Sequence, residues 1–97
     1  NPSKIGINLN IGHLNLAANS FAFSKSKFVD LIQNHIVAME LSHNNGIEDQ
    51  HLPLELDSWY WDLINDSRYK YTYKILEYRN TSIERILNDI NNIKKNY

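Results

Sequence analysis

Between Ile5 and Ile11 apolar and polar residues alternate: Gly6, Asn8 and Asn10 separate Ile5, Ile7, Leu9 and Ile11, the two-residue period of a half-buried strand. Leu14 and Leu16 resume the alternation beyond Gly12-His13, which predicts a short β-hairpin turning there. The spacing of Leu14, Ala17, Ala18 and Phe21 fits a helix over 11–23 instead, and the two readings compete. From 26 to 42 the period is helical: Phe28, Leu31, Ile32, His35, Ile36 and Met39 form one stripe. Ser24 or Ser26 can cap its start, and "HNNG" at 43–46 supplies residues that tolerate the left-handed backbone of a helix stop. Residues 43–52 have no period and read as a loop. Pro53 suits the first turn of a second helix carrying Leu56, Trp59 and Leu63 and ending near Asn65 or Asp66, where Asp66 or Ser67 can cap the last stretch of the chain.

Beyond it, Tyr69, Tyr73, Leu76, Asn80, Ile83, Leu87, Ile90, Lys94 and Tyr97 step by four and three in turn, a heptad seam. The stretch reads as one long helix or as two broken at Asn80-Thr81, where Thr81 and Glu84 have the spacing of a capping box. Such a stripe must pack on the other helices or on a second copy of the chain, so a homodimer through the C-terminal helix is one expected partner arrangement. Taken together the pattern predicts a mainly α protein, a small helical bundle of three to four helices with the uncertain hairpin at its N-terminus. At 97 residues the chain supports one hydrophobic core, hence a single domain over 1–97.

Composition removes several chemistries. Without Cys there are no disulfides, thiolate metal sites or thiol nucleophiles, which suits a cytoplasmic setting. No secretory signal and no apolar run near the roughly 18 residues of a membrane span is present. Asn (14) and Ile (12) are over-used, a bias of AT-rich, commonly bacterial or phage, coding. The net charge of −1 hides a strong asymmetry: +3 over 1–27 (Lys4, Lys25, Lys27), −8 over 28–67, and +4 over 68–97. The middle block holds Asp30, Glu40, Glu48, Asp49, Glu55, Asp57, Asp62 and Asp66 and no Lys or Arg. It can fold back onto the basic C-terminal third, or face a basic partner.

Four His raise a metal reading, in which His43 and His51 flank Glu48 and Asp49 in one loop. That spacing matches no ligand signature, so solvent-exposed loop His, with no metal and no cofactor, is the expectation; His35 lies on an apolar stripe and His13 in a turn. Asp62 and Asp66 share a helical face, but no nucleophile elbow or phosphate loop accompanies them, and the chain is expected not to be an enzyme. Arg68, Lys70, Lys74, Arg79, Arg85, Lys94 and Lys95 interleave with Tyr69, Tyr71, Tyr73 and Tyr78, the ingredients of a nucleic-acid surface. The near-neutral balance and the acidic block argue against a polyanion.

The densest signal is "SWYWD" at 58–62. On a helix Trp59, Tyr60 and Trp61 point about 100° apart, so one core cannot take all three. With Trp59 inward beside Leu56 and Leu63, Trp61 lies about 200° round among Glu55, Asp57 and Asp62. An indole ringed by carboxylates is the composition of a protein contact, in which the aromatic anchors and the charges select. Glu55, Asp57, Tyr60, Trp61, Asp62 and Asp66 are therefore the candidate partner-binding residues.

A small, Cys-free domain with an acidic, aromatic-studded face resembles the immunity proteins of contact-dependent inhibition and related polymorphic toxin systems of bacteria. The resemblance is one of general character over the whole chain and rests on no motif. It implies a non-catalytic inhibitor that covers the active site of a basic, nuclease-like toxin.

Overall fold

The alternation at the N-terminus ends at Asn10. Its side-chain oxygen accepts from the His13 N–H at 3.0 Å and so caps a helix, which decides between the two competing readings of this stretch in favour of the helix over the hairpin. The computed structural model describes residues 5–94. Strand β1 (Ile7–Asn10) runs into helix α1 (Ile11–Phe21), and α2 (Lys25–Ile32) is capped by Ser24 and continued by a 3-10 turn over Gln33–His35. Strand β2 (Ile36–Leu41) precedes a long irregular segment containing the one-turn helix α3 (Trp61–Ile64) and a 3-10 turn over Ser67–Tyr69; β3 (Tyr73–Leu76) and α4 (Ile83–Lys94) complete the described chain.

The strands form one sheet in the order β1-β2-β3, both pairings parallel. The protein is thus a small α/β fold with a three-stranded parallel sheet and four helices. This overturns the mainly α, all-helical bundle expectation, together with the N-terminal hairpin.

Each correction has a local cause. Opposite consecutive Ile7 and Asn8 stand Ile36 and Ala38, so Val37 is an extra residue bulged out of β2. The bulge puts Ile36 on the same face as Met39 and Leu41, all buried, and a strand thereby displays the three-residue step of a helix. Gly6 accommodates the bulge, because a Cβ there would lie 2.7 Å from both Val37 methyls. Asp57 (φ 63°) and Asn80 (φ 48°) adopt left-handed backbone, which breaks the helices expected across 53–65 and 69–97. The start of α4 is set by Ser82, whose Oγ accepts from the Arg85 N–H at 3.1 Å, and not by a Thr81–Glu84 box. Tyr97, the last member of the heptad seam, and Lys4 and Lys95 of the charge blocks lie outside the described residues.

The core lies against one face of the sheet. Leu9, Met39 and Leu41 meet Ile11 and Leu14 of α1, Ile64, Tyr60 and Ile93 there, and each fully buried side chain contributes about 2 kcal/mol by removal from water. The opposite face carries Asn8, Asn10, Ala38, Glu40, Tyr73 and Ile75, with Tyr73 76% exposed. Parallel sheets are ordinarily covered on both faces; this one is open on one.

Candidate functional site

Leu52 to Tyr60 have no regular backbone, so side chains hold them. Tyr78 Oη accepts from the Leu54 N–H (3.2 Å) and donates to Asp89 Oδ2 (2.7 Å), while Arg85 Nε bonds both Asp89 oxygens at 3.1 Å. Arg85 also donates to the Leu54 carbonyl, and the segment is fastened to α4. Burial and the Asp89 charge push the Tyr78 phenol well above its ordinary range, consistent with a proton committed to Asp89. Tyr60, 1% exposed, is the second fastening: its hydroxyl receives the Glu55 N–H at 2.7 Å and meets His43 Nδ1 at 2.9 Å.

These bonds present a shallow open groove of about 630 Å³ lined by Leu56, Asp57, Ser58, Trp59, Trp61, Asp62 and Asn92. Leu56 is 79% exposed at its mouth, and both indoles are half-buried. Trp61 Nε1 donates to the Glu55 carbonyl at 2.7 Å, which fixes its ring edge. The Lys25 ammonium sits 4.2 Å from the centre of the Trp59 ring, and burial lowers its pKa.

The six residues singled out by sequence are divided by the structure. Asp57, Trp61 and Asp62 line the groove and Glu55 is exposed beside it. Tyr60 is in the core and offers no surface. Asp66 is paired with Arg68, whose Nη2 lies 2.7 Å from its carboxylate; those hydrogen bonds hold its carboxyl below the usual range despite partial desolvation. Among the described residues no ion pair engages Glu55, Asp57 or Asp62. Sequence periodicity placed Leu56 and Trp59 inward; Trp59 does pack against the core while also lining the groove, whereas Leu56 is turned out, and the signal for this was Asp57-Ser58, a turn pair inside the helical spacing.

No protein family, curated protein or solved structure matches the chain.

The loop His are not the solvent-exposed residues expected, His43 and His51 both being half-buried. His43 belongs with Tyr60, and Glu48 carries no ion pair among the described residues. Asp49 and His51 instead meet His13 of α1: Asp49 Oδ2 lies 3.1 Å from His13 Nε2 and Oδ1 lies 3.1 Å from His51 Nε2. Of the basic residues set against the tyrosines, Arg68 and Arg85 are committed to Asp66 and Asp89, and Lys74 Nζ reaches Thr72 Oγ1 at 3.1 Å under the sheet.

Proposed function

We propose that this chain is a non-catalytic binding protein that docks a basic protein partner on the Leu56–Trp59–Trp61 groove, in the manner of the immunity proteins it resembles. One observation carries the reading: three carboxylates, Glu55, Asp57 and Asp62, stand around the exposed Leu56 and the half-buried indoles and have no ion-pair partner among the described residues. Lys or Arg of the partner pairs with the carboxylates while an apolar side chain enters between the indoles; a toxin active site beneath this face is then covered. Charge steering speeds encounter and weakens as salt rises.

The test is affinity for the product of the adjacent gene, measured for wild type, Leu56→Asp and the pair Asp57→Asn/Asp62→Asn. Loss of at least about 30-fold for Leu56→Asp, near 2 kcal/mol and typical of an interface anchor, with a weaker salt dependence for the paired variant, supports it. No binding, or binding indifferent to both variants, refutes it. A second reading, self-association through α4, rests on Ile83 (76% exposed) and Leu87 (56%) facing outward along that helix. Sedimentation as a monomer at every concentration excludes it.

A further inference from the structure

We propose that His13, Asp49 and His51 bind a divalent transition-metal ion of the zinc class at the carboxyl ends of the three parallel strands. This goes beyond the groove and does not rest on it.

Because both pairings are parallel, the residues beyond each strand converge at one end of the sheet: α1 after β1, the 43–52 loop after β2, and Glu77 after β3. His13 is held there by the first turn of α1, through the same amide that Asn10 caps. Asp49 and His51 are brought there by their loop, which is joined to itself by the paired His43–Leu52 backbone bonds and to the segment after β3 by the Arg79 N–H on the His51 carbonyl at 2.9 Å.

The three donor atoms all lie within 4.8 Å of one another. His13 Nε2 and His51 Nε2 each lie 3.1 Å from an Asp49 oxygen, Oδ2 and Oδ1 respectively, close to the roughly 3.3 Å edge of a tetrahedron with metal–ligand bonds of about 2.0–2.1 Å, and a turn of the carboxylate brings one oxygen toward both nitrogens. Small ring and carboxylate rotations therefore close the shell, and two imidazoles with one carboxylate are a donor set that zinc accepts, leaving one position open. His51 is pre-oriented for this role. Its Nδ1 faces the Glu77 carbonyl at 2.9 Å, so Nε2 is the nitrogen turned toward Asp49, the outer-sphere arrangement that commonly orients a metal-binding His.

The surroundings favour a cation. Glu40, gripped by the Asn8 and Asn10 amides at 2.6 and 3.0 Å, lies beside Glu77. Two carboxyl groups, Glu40 and Glu77, thus stand together at this end of the sheet. Entry is open, the His13 and Asp49 side chains being 58% and 41% exposed.

The test uses the tag-free full chain after chelator treatment, with Zn²⁺ followed by calorimetry and Co²⁺ by its visible absorption. One equivalent of Zn²⁺ and an intense, low-symmetry Co²⁺ spectrum are expected. His13→Ala, at an exposed position that leaves the circular dichroism unchanged, should weaken Zn²⁺ by at least about 30-fold, as should Asp49→Asn, whereas His35→Ala should have no effect. Binding no tighter than about millimolar, a weak octahedral Co²⁺ spectrum, or equal weakening by His35→Ala would each overturn the proposal. All arms use the isolated chain, so this outcome is separable from that of partner binding.

Discussion

Asn44→Ala tests whether the 43–52 loop is held by a side chain. Asn44 is 5% exposed and makes three bonds: its amide donates to the Gly12 carbonyl (2.9 Å), and its oxygen accepts from Asn15 Nδ2 (2.8 Å) and the Gly46 N–H (2.9 Å). It joins α1 to the loop that delivers Asp49 and His51, where backbone pairing among the described residues is limited to the His43–Leu52 bridge and the Arg79 N–H on the His51 carbonyl. Alanine removes all three bonds, at about 1 kcal/mol each, and the buried Gly46 amide left unpaired adds a further cost. A loss of about 3 kcal/mol is expected, a large part of the stability of a domain this size and equivalent to roughly 12–24 °C in Tm. Urea unfolding followed by circular dichroism measures it. Asn45→Ala is the control: exposed Asn45 accepts from the Ile47 and Glu48 amides at 2.9 Å, and its loss should cost below about 1 kcal/mol. A cost for Asn44→Ala no larger than the control would show that water replaces the side chain and that the loop is held otherwise.

Gly6→Ala drives a methyl into stiff, branched Val37 and should cost about 1–2 kcal/mol; Val37→Ala in the same chain should recover most of it, and a cost unchanged in the double variant would refute the close-approach account. Tyr69 is 2% exposed and its hydroxyl has no partner among the described residues, so Tyr69→Phe should be neutral or stabilising by up to about 1 kcal/mol in urea, and clear destabilisation would reveal a missed bond. Burial raises the phenols of Tyr60, Tyr69 and Tyr78 above 10.0. The folded state thus keeps protons that the unfolded state releases, and stability, complete below pH 10, should fall as pH rises beyond it. Urea midpoints and tyrosinate absorbance across that range should change together; ionisation of these tyrosines without unfolding would contradict their burial.

Element starts were more legible in the sequence than element types. The alternation of Ile7 and Leu9 is a real strand, Ser24 is a real cap, and Leu14 and Ala18 are the buried stripe of a real helix. The strand β2 was concealed by its own bulge, since Ile36 and Met39 show helical spacing only because Val37 is passed over in the ladder. Long-range pairing, not local preference, decided that segment. At the groove the acidic and aromatic character was visible, but the inward and outward residues were exchanged. A single left-handed residue, Asp57, turns Leu56 out and lets Tyr60 take the core position. The His13–Asp49–His51 grouping had no sequence signal, as His13 is distant in the chain and reaches the loop only through the parallel order of the strands.

That parallel order also governs how the molecule is made. Ile7 must find Ile36 and Ala38 must find Tyr73, so no two neighbouring strands are joined by a tight turn. Each closure spans roughly thirty residues and costs on the order of 3 kcal/mol of chain entropy before any ladder bond rewards it. Assembly of the sheet therefore belongs to the slower, topology-limited class of small domains, and a chain cut between β2 and β3 retains no hairpin on which a partial sheet could survive.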